Sequence, residues 1–173
     1  LVVGGKCVAV LKLIPPRIIG NGIDTVEELI NKKNQARSEN PHLCNRLIGL
    51  DADSLKIIKR QGFDLTSIPS KGEEVLIDPK ASLSTGADSY DVTEEVHPLF
   101  KKIAEKVATS IPGLDVVGVD IVAYDHTKEP NNNNYIVIGA TARPPILNHH
   151  YPMYGKARNV AGAIVQNAVK SMR

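Results

Sequence analysis

Hydrophobic positions along the chain switch between a period of two and a period near 3.6, and the switches predict its elements. Leu1-Val2-Val3, then Gly4-Gly5, then the apolar run over 7–14 read as strand, tight turn, strand. The first strand is much shorter than its partner, so preceding sequence is expected. Pro15-Pro16 ends the second strand, since proline has no N–H to donate to a ladder. Thr25-Val26-Glu27-Glu28 is a capping box that opens a short helix with Val26, Leu29 and Ile30 on its buried face. Residues 35–45 are polar and predict a loop. Residues 46–50 predict a short strand, 53–61 a helix stopped by Gly62, 74–77 another strand, and 78–92 a polar loop. The clearest helix spans 97–111, where Leu99, Phe100, Ile103, Ala104, Val107 and Ile111 recur at helical spacing and Pro112-Gly113 ends the run. Strands follow over 116–124 and 135–140, joined by a polar loop with Pro130 and four consecutive asparagines. A last helix is expected over 156–172, with Val160, Ile164, Val165, Ala168 and Val169 facing the core. Helices mixed with at least two antiparallel hairpins predict an α+β fold, mostly antiparallel sheet flanked by helices.

Composition narrows this picture. A chain of 173 residues, 42% hydrophobic and 23% charged, is that of a globular domain with a real core. A net charge of +2 gives no general attraction to nucleic acid or to an anionic membrane. No apolar run approaches the roughly 18 residues of a membrane-spanning helix. The opening Leu-Val-Val-Gly-Gly is too short for a signal peptide and has no initiator Met, which points to a fragment. Cys7 and Cys44 lack C-x-x-C spacing and read as reduced thiols of a cytoplasmic protein.

The late hairpin carries the candidate chemistry. If its turn centres near Glu129-Pro130, Asp120 lies opposite Gly139, because partner numbers in an antiparallel pair sum to a constant. Gly118, Asp120 and Val122 then share one face, and Gly139 and Thr141 share a side on the partner strand. A carboxylate among apolar neighbours in mid-strand needs a metal ion, a basic side chain or water at an open cleft. Spacing leaves all three open. His149-His150, on a segment expected to be extended, point in opposite directions and have no third ligand nearby in sequence. Gly4-Gly5 and Gly20-Asn21-Gly22 do not lead into a helix in the order that a phosphate loop requires.

An ordered set of strings runs along the chain: Val2-Val3-Gly4-Gly5-Lys6, Ile19-Gly20-Asn21-Gly22, Gln61-Gly62, Ser67-Ile68-Pro69, Leu83-Ser84-Thr85-Gly86 and Asp91-Val92-Thr93-Glu94-Glu95-Val96-His97-Pro98. It continues with Gly118-Val119-Asp120-Ile121, Pro144, His149, Pro152, Gly155 and Arg158-Asn159-Val160-Ala161. Together these strings resemble the ATP-grasp region of cyanophycin synthetase and of the bifunctional glutathione synthetases. The resemblance implies the C-terminal core of an ATP-grasp domain over 1–173, a single partial domain of a longer chain, with the lid subdomain absent. It implies an ATP-dependent carboxylate–amine ligase in which ATP phosphorylates a carboxylate and an amine attacks the acyl phosphate to form an amide. ATP and Mg²⁺ are the implied cofactors. A nucleotide, a small carboxylate and an amine are the implied ligands, with the missing N-terminal part of the same chain as partner; a homo-oligomer is compatible.

By the same resemblance Asp120 is a metal ligand. Ser84, Thr85 and Gly86 form the substrate and phosphate-proximal loop, and His149 lines the cleft. The departures are as specific. Gly139-Ala140-Thr141 stands where the family pattern reads Glu-x-Asn before the proline, so the usual metal partners of Asp120 are replaced by Gly139 and Thr141. Leu13 replaces a basic residue, with Lys12 beside it as the substitute cation. Asn21, Ser82, Ala87 and Asp78 stand for Asp, Asn, Gly and Arg. Arg143 brings a positive charge close to Thr141, and is expected either to stand in for a missing cation or to pair with Asp120. The alternative is a non-catalytic nucleotide-binding or scaffold module with this ancestry. In either case the 173 residues alone are expected to be inactive.

Overall fold

The protein is described here from a computed structural model covering residues 1–172. Its chain forms two compact units. One is contiguous, Lys12–Tyr90; the other joins Leu1–Leu11 to the chain from Asp91 onward.

In the contiguous unit, strand β4 (Arg17–Ile19) pairs antiparallel with β5 (Glu74–Leu76), with Ile18 opposite Val75. Helix α1 (Val26–Ser38) starts with the expected capping box. The Thr25 hydroxyl accepts from the Glu28 amide at 3.2 Å, and the Glu28 carboxylate accepts from the Thr25 amide at 2.8 Å. Helix α2 (Ala52–Arg60) is capped by Asp51, whose carboxylate accepts from the amides of Asp53 and Ser54. Gly62, at φ 88°, turns the chain out of it. Ile18, Val26, Ile30, Ile48, Ile58, Val75 and Ile77 close this unit's core. Strand β6 (Asp88–Asp91) pairs with β3 (Leu11–Ile14).

Three expectations change here. Helix α1 runs on to Ser38 through residues expected to be loop, and residues 46–50 form no strand. The Asn34 amide bonds both the N–H and the C=O of Ile48, at 2.8 and 2.9 Å. The Arg37 guanidinium donates to Arg46 O at 3.0 and 2.8 Å, so the segment's polar groups are met from the helix rather than from a neighbouring strand. Within the expected 78–92 loop, the polar run Asp-Ser-Tyr-Asp is strand β6, with Asp88 and Ser89 buried.

In the other unit, β1 (Val2–Val3), β2 (Lys6–Cys7), β7 (Val116–Ala123) and β8 (Tyr135–Thr141) form an antiparallel sheet in the order β2-β1-β7-β8. The expected long partner of the first strand is interrupted. β2 stops at Cys7, and the Val10 amide turns to the Thr93 hydroxyl at 2.9 Å. Helix α3 (Pro98–Thr109) lies on one face of the sheet, where Val2, Ala104, Ala108 and Val117 are buried together. Phe100 meets the Tyr135 ring edge-on at 5.7 Å. Helix α5 (Val160–Ser171) begins later than expected because Asn159 is its cap, accepting from the Gly162 amide at 2.9 Å. His149-His150, expected on an extended segment, lie in one helical turn, α4 (Leu147–His150).

Candidate functional site

The β7–β8 hairpin has two unlike faces. Val117 and Val119 pack toward α3, and the alternation of a strand therefore turns Gly118, Asp120 and Val122 the other way. Asp120 pairs with Gly139, as the constant-sum argument predicts. The register then slips by one, so that Ile121 faces Val137 and Ile138 is the extra residue of a bulge. Val122, Ile136 and Ile138 are all more than half exposed, leaving an apolar strip beside Asp120.

Asp120 itself is exposed and makes no ion pair or hydrogen bond among the described residues. Arg143, also exposed, does not pair with it. A β-carbon added at Gly139 would meet only Asp120 Oδ2, at 3.6 Å, an ordinary contact. Thr141 lies opposite Gly118, and Pro144 covers Gly118 so closely that a β-carbon there would come within 2.9 Å of it. No group of three or more His, Cys, Asp or Glu side chains able to hold a metal exists among the described residues. The donor set does not fit a pair of Mg²⁺ ions held by protein carboxylates: Asp120 is a single hard oxygen ligand, and Gly139 supplies none.

The remaining candidates of this unit lie away from the hairpin strands. His149, on α4, is buried, and its Nδ1 has no hydrogen-bond partner among the described residues. Burial above all, opposed by the charge of Asp91, brings its pKa down to about 4. Its carbonyl accepts from the Arg158 amide at 2.8 Å. Arg158 is the centre of a network that sequence reasoning missed. Its Nε and Nη2 both donate to Asp91 Oδ2, at 2.9 and 2.5 Å, and its Nη1 donates to Glu94, which Lys156 also meets. Thr93 Oγ1 donates to Asp91 Oδ1 at 2.5 Å. Burial raises the Asp91 pKa, but the bonds from Arg158 and Thr93 outweigh it and hold the carboxyl below its ordinary value. Gly155, at φ 91°, fits against the Asp91 backbone, where a β-carbon would sit 3.1 Å from Asp91 O. Asp91, Gly155 and Arg158 all fall within the family-like strings, yet nothing in their spacing announced that they meet.

In the contiguous unit, Lys12 is exposed on β3 and has no charged partner among the described residues. Ser84 and Thr85 lie in a 3-10 turn, Leu83–Thr85, which Gly86 closes at φ 95°. The Ser82 and Ser84 hydroxyls bond each other at 2.8 Å, and Thr85 Oγ1 donates to Ser82 O at 3.1 Å. A β-carbon at Gly86 would lie 2.8 Å from the Ile48 side chain. Asp78 receives the Lys80 amide at 2.8 Å, and Asn21 Oδ1 receives the amides of Ile23 and Asp24, so both departures take part in local turns.

This architecture is the ATP-grasp fold. The structure superposes on a bifunctional glutathione synthetase from Pasteurella multocida with a TM-score of 0.85 at 30% identity, covering 98% of this chain and 24% of that one. In sequence, the chain is 40% identical to a cyanophycin synthetase of Geminocystis herdmanii over 167 residues, 95% of this chain and 19% of the relative. It is 33% identical to a glutathione biosynthesis bifunctional protein of Clostridium perfringens over 167 residues, 95% of this chain and 21% of the relative. No family model matches. The chain thus resembles, along nearly all its length, one segment of these synthetases, and it spans about a fifth of the curated relatives' length. Among the described residues, no helix is long and apolar enough to cross a membrane.

Proposed function

We propose that the chain is the core part of an ATP-dependent carboxylate–amine ligase with an altered metal site, acting within a longer polypeptide that supplies the lid. The observation that carries this reading is the exposed Asp120 on the open face of the β7–β8 hairpin, with no hydrogen bond or ion pair among the described residues. An exposed carboxylate that serves no packing role is free to meet a cation or a polar ligand. Lys12 and Arg143, each exposed and without an ion-pair partner among the described residues, are the cations that would steady phosphate oxygens. The Ser84–Gly86 turn would position the acceptor carboxylate, and His149 would line the cleft as a neutral group at pH 7. Mg²⁺ in such an enzyme offsets phosphate charge; here Asp120 alone would hold it.

A second reading, a non-catalytic nucleotide-binding or scaffold module, is favoured by Gly139, which puts no ligand beside Asp120. Thermal-shift titration of the longer polypeptide with ADP, with and without Mg²⁺, separates the two, because a ligand of the native state raises stability by mass action. Magnesium-dependent stabilisation that disappears in Asp120→Asn supports the ligase. ADP stabilisation indifferent to Mg²⁺ supports the module, and no stabilisation by either refutes both. Gly139→Glu sharpens the test: a β-carbon at Gly139 makes only an ordinary contact with Asp120, and Mn²⁺ titration of this variant is expected to give tighter binding than in the parent.

A further inference from the structure

The loop that leads into α1 carries a reactive pair that the proposed ligase chemistry does not use. Asn21-Gly22 is the one place in the sequence where glycine follows asparagine. With no side chain, Gly22 leaves its amide nitrogen unshielded toward the Asn21 Cγ, and only a five-membered ring has to close. Asn21, Gly22 and Ile23 are all exposed, Ile23 at 77%, so the tip of the loop is not held by core packing. Hydrogen bonds hold it instead. The Gly20 amide donates to Glu73 O at 2.7 Å and the Gly72 amide to Gly20 O at 2.8 Å, while the Val26 amide donates to Ser67 O at 2.9 Å. A β-carbon at Gly20 would sit 2.3 Å from Ser70 O, so that end is tightly clamped.

Between those anchors both reacting groups are restrained. The Asn21 Oδ1 accepts from the amides of Ile23 and Asp24, each at 2.9 Å, and its Nδ2 donates to Asp24 Oδ2 at 2.5 Å. Lys32 Nζ donates to the same Asp24 oxygen at 2.6 Å and ties that carboxylate to α1. The Gly22 amide donates to Pro69 O at 3.1 Å, so its proton is engaged by the facing loop. Opening the tip breaks only these exposed bonds, and exposed segments held by few buried contacts open at small cost.

We propose that Asn21 is a site of spontaneous deamidation and that the loop holds the reaction back until its tip opens. In the open tip the Gly22 nitrogen gives up its proton to water and attacks the Asn21 Cγ. The Cγ–Nδ2 bond breaks, and ammonia leaves with a proton from solvent. The cyclic imide then takes up one water, which opens it at either carbonyl to aspartate or isoaspartate. The net change is one water consumed and one ammonia released. Aspartate puts a second carboxylate against Asp24 in place of a donor. Isoaspartate adds a backbone carbon between the anchored ends at Gly20 and Val26. Either product loosens the entry to α1, whose Val26 and Ile30 are buried in the core of this unit, and neither returns to asparagine.

The test is incubation of the full chain at mildly alkaline pH, folded and in guanidinium chloride, with peptide mass mapping and electron-transfer fragmentation to separate aspartate from isoaspartate. Both products are expected at Asn21 in the folded chain, ahead of any change at Asn131, Asn132 and Asn133, which are also exposed but lack a following glycine. Unfolding should speed the conversion at least about tenfold. Asp24→Ala, which removes the acceptor of Asn21 Nδ2, should speed it at least about twofold in the folded chain and leave the unfolded rate unchanged. No conversion of folded Asn21 once the unfolded chain has fully reacted overturns the proposal. So do equal rates in the folded and unfolded chain, aspartate without isoaspartate (direct hydrolysis), or a folded Asp24→Ala rate equal to that of the parent.

Discussion

Asp91 and Asp120 belong to the same unit and to opposite physical regimes. The Asp91 carboxylate is buried, with Arg158 bonded twice to one oxygen and Thr93 to the other. Asp120 is exposed on a sheet face beside an apolar strip and has no hydrogen-bond or ion-pair partner among the described residues. Both fall in strings that resemble the same ligases, so resemblance alone cannot tell them apart. Partners can: a carboxylate whose lone pairs are filled by protein is part of the framework, and one left open is available to a ligand.

The largest expected effect breaks the framework side. Arg158→Ala leaves the Asp91 charge buried and uncompensated, and should cost about 3–5 kcal/mol in urea unfolding. Because the Asp91 pKa is held down, this stabilisation is present above the unfolded carboxylate value and is lost as pH falls through the lower native one. A second effect, on the order of 3 kcal/mol, comes from His149. Its native pKa is about 4 against an ordinary 6.5, so between these values the unfolded chain binds more protons. Stability should therefore fall as pH drops from 6.5 toward 4. His149→Leu, which removes no Nδ1 hydrogen bond, should flatten that slope in urea titrations at several pH values. Gly155→Ala follows at about 1–3 kcal/mol, from the left-handed φ and the close approach to the Asp91 backbone. Asp120→Asn comes last, within about 0.5 kcal/mol of the parent. A large stability loss on Asp120→Asn would erase the distinction between the two carboxylates.

What sequence made legible was local. The Thr25 capping box, the α3 periodicity and the Asp120–Gly139 register each depend on neighbours or on a single hairpin, and each stands in the structure. What it hid was made at a distance. Asn34 and Arg37 replace a strand partner for residues 46–48, and the polar strand β6 is buried because Lys33 and Arg37 meet Asp88. Arg158 reaches Asp91 across 67 positions, and no periodicity encodes such a meeting. The same limit applies to the candidate residues. Asp120 could be placed on its face from alternation, whereas the expected alternatives for Arg143 included a pair with Asp120 that does not form.

The division of the chain also sets an order of events during synthesis. The unit Lys12–Tyr90 is one uninterrupted stretch, with every residue of its core emerging before Asp91 does. The other unit cannot close until β7 exists, because β1 is pinned between β2 and β7, with Val2 opposite Val117. Leu1–Leu11 must therefore wait on the ribosome with only its two-strand turn formed, while a whole compact unit is made behind it. Such long-range pairing is slow relative to local structure, and a two-stranded hairpin alone is marginal in water. The apolar Val2 and Val3 stay open to mispairing until β7 is made, and early completion of Lys12–Tyr90 shortens the entropic loop that their eventual closure on β7 must span.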